Sequence, residues 1–332
     1  MRIIFMGTAE LSCASLETLA DNKQISVAAV VTQPDKPKGR DLKLQPSPVK
    51  LLALKLDLPV LQPARARDEN FIAELRALKP DLIVVVAYGH ILPQIILDLP
   101  KFGCLNVHTS LLPRYRGAAP IQWAVANGET ETGVTVMKMD AGLDSGPIVS
   151  QRRTAILPED NSATLHDRLA RLGAELLAQT IPDFVAGKIQ LQPQPVEGVS
   201  HAPKIRKEDG HIDWSLPAKT IWNRLRAFTP WPGAFTFLRS AEHRLGVDPT
   251  APNHAEPVLG ASKPHLLKIW KMEIVERSGK AGEILSADKT GVVVACGQDA
   301  LRILELQPES GRRMNAAEFL AGHALKAGEK FE

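Results

Sequence analysis

The sequence predicts a doubly wound, mostly parallel α/β sheet followed by a small β-barrel, on three observations. Residues 2–6, 26–32 and 82–87 are apolar, largely β-branched runs, the last reading LIVVVA, and such runs belong to parallel strands buried on both faces. Segments of helical spacing separate them, as a sheet covered by helices requires. Beyond residue 190 the pattern changes to proline-punctuated chain and then to short strands with turn signals, which suggests a separate barrel. At 332 residues and 44% hydrophobic content the chain can bury two cores.

Strand 2–6 runs into Gly7-Thr8-Ala9-Glu10-Leu11 and an amphipathic piece carrying Leu16 and Leu19. A dinucleotide site would need three glycines at this turn. One is present, and Glu10 would put negative charge where a pyrophosphate binds, so a nucleotide cofactor is not expected. After strand 26–32 comes an insertion, residues 33–48, with Lys36, Lys38, Arg40 and Lys43 against Asp35 and Asp41, four prolines and Gly39. Such a stretch is either a functional loop or plain disorder. Residues 49–56 and 68–78 have helical spacing, the second with Asp68 as N-cap. Strand 82–87 opens onto Tyr88-Gly89-His90, and a strand over 104–108 places Asn106 and His108 on one face, with Val107 on the other. Strand 133–139 runs into a glycine-punctuated loop holding Asp140 and Asp144. Helix 163–185, with Leu165, Leu169, Leu172, Leu176 and Leu177 along one stripe, closes a first domain at residue 189. Residues 190–205 read as a linker. The second domain, 206–310, has a short helix at 216–228 and strands at 265–270 and 292–296, and residues 311–332 form a tail with Met314, Phe319 and Leu320 at helical spacing.

Composition narrows the function classes. A net charge of +3 permits an anionic partner without requiring one. Three cysteines, Cys13, Cys104 and Cys296, with no CxxC pair, argue against a disulfide framework or structural zinc, and no His/Cys/Asp set has metal-ligand spacing. The apolar start is too short for a signal peptide and no run of eighteen apolar residues occurs, so a cytoplasmic protein outside the membrane is expected.

Taken singly, a histidine at a strand end and aspartates in a glycine-rich loop are ordinary structural residues. Together they form a longer pattern, NVHTSLLPRYRGAAPI followed by GVTVMKMDAGLDSGPI. That pattern resembles the formyltransferases that take a formyl group from 10-formyltetrahydrofolate, and the resemblance runs from residue 2 to about 307. It implies a Rossmann-like catalytic domain and an OB-like second domain that helps carry tRNA. Asn106 would stabilise the oxyanion, His108 would act as general base or as oxyanion donor, and Asp144 would orient the imidazole. The folate donor would lie against Ser110, Leu111, Leu112 and Pro113, together with Tyr88, Gly89, Ile91, Leu92, Asp140 and Gly142.

The resemblance is nearest to the branch whose acceptor is initiator methionyl-tRNA, in which a basic loop at this position meets the acceptor stem. It implies tRNA contacts at Lys36, Lys38, Arg40 and Lys43 and, where the second domain begins, at Lys204 and Lys207, in a monomer without metal. Ala9 and Leu11 replace the family's Pro and Phe, and Thr109 replaces its Gly or Ala. A folate-dependent formyltransferase acting on a small amine such as an amino sugar nucleotide is the first alternative, and a tRNA- or nucleotide-binding protein without catalysis the second.

Overall fold

The computed structural model describes residues 1–38, 43–238 and 265–332. They fall into two compact units, one of residues 1–124 with 129–204, the other of 125–128 with 205–332.

The first unit is built on seven strands: β1 (Arg2–Gly7), β2 (Ser26–Val31), then, beyond the short hairpin β3 (Lys36–Lys38) and β4 (Lys43–Gln45), β5 (Val60–Leu61), β6 (Leu82–Val86) and β7 (Cys104–His108). After the two-residue strand β8 (Arg116–Gly117) come β9 (Glu131–Lys138) and β10 (Ile148–Ala155). Their order is β10-β9-β7-β6-β1-β2-β5. The strands from β7 to β5 are parallel, while β9 runs antiparallel to both β7 and β10. The sheet direction of the chain reverses between β1 and β6, where open α/β sheets have their ligand crevice.

Helices cover both faces. On one, α3 (Glu69–Ala77) and α4 (Gln94–Leu97) bring Phe71, Ile72, Leu75, Ile96 and Leu97 against Ile4, Met6, Ile83, Val85 and Cys104. The Asp68 carboxylate caps α3 by accepting from the Phe71 N–H at 3.0 Å. On the other face lie α1 (Cys13–Ala20) and the 24-residue α6 (Ser162–Val185), where Gly173 leaves room for Val107 and Val134. Asn161 caps α6 through a reciprocal box with Thr164. Strand β10 was not foreseen in the sequence; from Ser150 on, its exposure alternates, as at the edge of a sheet.

Residues 190–205 are not a free linker. Gln192 and Ile148 exchange backbone hydrogen bonds at 2.8 and 2.9 Å, and β11 (His201–Ala202) pairs in parallel with β8. The segment is proline-punctuated because it lies on the surface as a strap, and polar because its backbone and side chains bond to the loops beneath it.

The second unit is an antiparallel sheet ordered β12-β13-β16-β15-β14, from β12 (Ala234–Leu238), β13 (His265–Val275), β14 (Ile284–Asp288), β15 (Gly291–Ala295) and β16 (Ala300–Pro308), with β17 (Met314–Asn315) beside β16. Helices α7 (Ala218–Ala227) and α8 (Ala316–Gly322) contribute Ile221, Leu225 and Phe319 to its core. The segment read as a tail closes this sheet. Phe237 and Glu332 exchange backbone bonds at 2.9 Å on one side, and Phe331 N–H donates to Gly282 at 2.9 Å on the other, so the chain end joins β12 to the strand region before β14. Phe331 is buried and stacks on Trp214.

Candidate active site

A cavity of about 550 Å³ opens at the carboxyl ends of β1, β6 and β7. Asn106, His108 and Asp144 all line it. The first two come from the period of β7: Cys104 packs among α3 and α4, and Asn106 and His108 continue that face beyond the cluster, while Val107 turns toward α6. Asn106 is half-buried, and its side-chain amide forms no hydrogen bond among the described residues.

His108 is buried and its ring is held by a hydrogen bond at one nitrogen. Nε2 lies 2.9 Å from the Tyr115 carbonyl. A carbonyl only accepts, so Nε2 carries the proton and Nδ1 presents its lone pair. Nδ1 is 3.7 Å from Oδ2 of Asp144, too far for a direct hydrogen bond but close enough for the carboxylate to stabilise an imidazolium. The same Oδ2 accepts the Gly117 N–H at 2.8 Å. Gly117 has φ +121°, and a Cβ there would stand 2.7 Å from the Ala202 carbonyl, so both backbone conformation and space require glycine.

The Asp144 loop braces itself. Oδ1 of Asp140 accepts from the Gly142 N–H at 3.0 Å and the Ser145 hydroxyl at 2.9 Å, and Asp144 itself sits at φ +49°. That left-handed backbone is uncommon for a non-glycine residue and points the carboxylate back toward β7.

Tyr88, Gly89, Ile91, Leu92, Asp140 and Gly142 line the cavity, Ile91 with 79% of its surface exposed at the rim. Ser110, Leu111, Leu112 and Pro113, read from the resemblance as donor contacts, are not among the residues lining this cavity. Ser110 is fully buried and donates to the Arg114 carbonyl at 2.6 Å, and Leu112 packs on Met137 and Ile148. Thr135 and Gln151 hold the turn from below, the Thr135 hydroxyl donating to the Ser110 carbonyl at 2.7 Å and the Gln151 amide to that of Leu112 at 2.9 Å.

Sequence reasoning missed Met137, Met139 and Leu143, which also line the cavity, as does His90 of the Tyr88-Gly89-His90 loop. The signal for the two methionines was their place at the end of β9, beside β7. His90 has an unpartnered buried Nδ1, and desolvation, followed by the charge of Lys36, lowers its pKa. Burial likewise pushes the Tyr88 phenol up to about 12.

Of the residues read as basic tRNA contacts, Lys36 and Lys43 are exposed on β3 and β4, Lys38 ends β3, and Arg40 lies outside the described residues. Lys36 donates to Oε1 of Gln33 at 2.5 Å, and the Gln33 amide donates to the Tyr88 carbonyl at 2.9 Å. Exposed Lys204 ends the first unit and exposed Lys207 follows at the start of the second. Among the described residues no group of three or more His, Cys, Asp and Glu could hold a metal ion, and no helix is long and apolar enough to cross a membrane.

A family model described as formyl transferase matches residues 1–181, and one described as formyl transferase, C-terminal domain, matches 204–324. The chain is 47% identical over 328 residues to a methionyl-tRNA formyltransferase of Citrifermentans bemidjiense, covering 99% of this chain and 95% of that one. It is 46% identical over 330 residues to one of Geobacter sulfurreducens, covering 99% and 96%. Among solved structures, the N-formyltransferase from Helicobacter canadensis, in complex with folinic acid and dTDP-3-aminofucose, is similar with TM-score 0.61 at 18% identity over 91% of this chain and 98% of that one. HypX from Aquifex aeolicus, in complex with tetrahydrofolic acid, gives TM-score 0.58 at 18% identity over 99% of this chain and 48% of the other, so the chain spans about half of that protein. At that identity the two structures share the fold alone. With a family model over more than half its length and relatives of near-half identity along all of it, the chain belongs to the formyl transferase family.

Proposed function

We infer that this chain transfers a formyl group to the α-amino group of initiator methionyl-tRNA, the acceptor its curated relatives are named for, with 10-formyltetrahydrofolate as donor. The observation that carries the reading is near-half identity along the whole chain, combined with Asn106, His108 and Asp144 on one cavity wall. The cavity has the size of a small-molecule site. Its side chains of Leu11, Ile91, Met139 and Leu143, with the backbone of Gly89 and Gly142, suit a flat heteroaromatic ring with amide edges.

The donor supplies a formyl carbonyl attached to a nitrogen that can leave. The acceptor brings its own nucleophile, since an α-amine has a pKa of about 8 and is partly neutral near pH 7. As the amine adds, the carbonyl oxygen gains charge and the Asn106 amide donates to it, a contact worth about 10²–10³ in rate at comparable sites. His108 takes the amine proton on Nδ1, because Nε2 is committed to the Tyr115 carbonyl. It returns that proton to the donor nitrogen as the bond to the formyl carbon breaks, so formyl and proton exchange places and nothing else is consumed. Asp144 stabilises the imidazolium between the two transfers.

Lys36, Lys38, Arg40 and Lys43 of the basic insertion, with Lys204 and Lys207, would meet tRNA phosphates. The cytoplasm is the compartment that fits a tRNA acceptor and three free cysteines. Purified protein, donor and methionyl-tRNA should yield formyl-methionyl-tRNA. Absence of product, with the same protein active on an amino sugar nucleotide, would transfer the reading to a small-amine acceptor.

A further inference from the structure

Asp144, whose carboxylate lies 3.7 Å from Nδ1 of His108, has a left-handed backbone at φ +49°, and its carbonyl accepts a hydrogen bond from the strap. The Gln194 amide Nε2 donates to the carbonyls of both Asp144 and Gly146 at 2.8 Å. Its orientation is dictated by Arg116, whose Nε and Nη2 donate to Oε1 at 3.1 and 2.7 Å, leaving the amide nitrogen to point at the two carbonyls. Arg116 in turn belongs to β8, where its backbone pairs with the strap and the next residue, Gly117, donates to the Asp144 carboxylate. The backbone pair between Gln192 and Ile148 fixes the strap two residues before Gln194.

We propose that Gln194 is a positioning residue for the transfer reaction, holding the Asp144 backbone so that its carboxylate faces Nδ1 of His108. The proposal rests on the role given to Asp144 above. Gln194 touches neither cavity nor imidazole, so its effect has to pass through the loop it clamps. Without the two amide donors, the Asp144–Gly146 carbonyls would lose their anchor and the loop could relax toward an unstrained backbone, turning the carboxylate away. A displacement of about 1 Å at a reacting group can cost on the order of 10²-fold in rate.

The test is a double-mutant cycle on the full chain, with turnover, KM for methionyl-tRNA, donor dissociation constant and melting temperature measured for Gln194→Ala, Gln194→Glu, Asp144→Asn and the Asp144→Asn/Gln194→Ala pair. Gln194→Glu keeps an acceptor for Arg116 and removes the amide donors, so it tests the proposal even if the alanine variant folds poorly. The expected result is a fall in kcat of about tenfold or more in both single Gln194 variants, with KM and donor affinity within about threefold. In the Asp144→Asn background the second substitution should add less than about twofold, because the residue through which it acts is already disabled. Unchanged kcat in both Gln194 variants beside an impaired Asp144→Asn would overturn this proposal alone, as would a full additional loss in the double variant. Wild-type turnover in Asp144→Asn would overturn the role of Asp144 and this proposal with it.

Discussion

At the scale of single residues, the roles proposed above separate Asn106, which would touch the reacting oxygen, from Asp144, which would tune the base. Asn106→Ala should lower kcat by about 10²–10³ while leaving donor binding near wild type, because the amide is needed only where charge develops. Equal kcat in single-turnover measurements would take Asn106 out of the reaction. His90 gives a prediction about pH. Its pKa is lowered from 6.5, first by desolvation and then by the charge of Lys36, so below that value the unfolded chain binds a proton that the folded chain resists. Stability should therefore fall as pH drops from 6.5 toward the lower folded-state value, and this slope should flatten in His90→Gln. Chemical denaturation from pH 7.5 down to 5 would reveal it, and identical slopes in the two proteins would contradict the assignment.

At the scale of elements, the pairing of β8 with β11 ties the strap to Gly117, which donates to the Asp144 carboxylate. Gly117→Ala would set a Cβ 2.7 Å from the Ala202 carbonyl at a φ that only glycine adopts freely. It should cost about 1–3 kcal/mol and detach the strap locally. Faster hydrogen exchange at Arg116 and Ala119, whose N–H groups donate to strap carbonyls, is the measurement that checks it. The hairpin of β3 and β4 is anchored differently: the Asp35 carboxylate accepts from Lys50 at 2.8 Å and from the Gln62 amide at 2.8 Å, which holds its pKa below the usual range. Among the described residues of that hairpin, Lys36 and Lys43 are exposed.

At the scale of the whole molecule, affinity for tRNA should be electrostatic, and each unit should stand on its own core. The logarithm of the association constant should fall linearly with the logarithm of salt concentration, and Lys43→Ala should reduce that slope by about 1 without changing donor affinity. An unchanged slope would remove Lys43 from the interface. In the second unit the chain end does the closing. Phe331→Ala, which empties a buried site against Trp214, should cost about 3–5 kcal/mol, read as a shift in the unfolding transition of that unit. A loss under 1 kcal/mol would mean that the final residues merely rest on the sheet.

Much of this was legible in the chain itself because it follows from local periods. The apolar, β-branched run 82–87 read as a buried strand, Asp68 as the cap of a helix beginning beside it, and a spacing of two on a strand puts Asn106 and His108 on one face. What local pattern could not supply was the fate of polar segments whose partners are distant in sequence. Residues 190–205 looked like a linker and the segment after residue 311 like a tail, since proline and low apolar content read alike in a free linker and in a strap bonded to loops. The bonds that hold the Ser110–Pro113 turn come from Thr135 and Gln151 on distant strands, contacts that a local turn pattern does not record. The sequence determined that Asn106 and His108 share one strand face; only the tertiary structure decided that His108 bonds the Tyr115 carbonyl and that Gln194 bonds the carbonyls of Asp144 and Gly146, because backbone carbonyls leave no mark in a side-chain pattern.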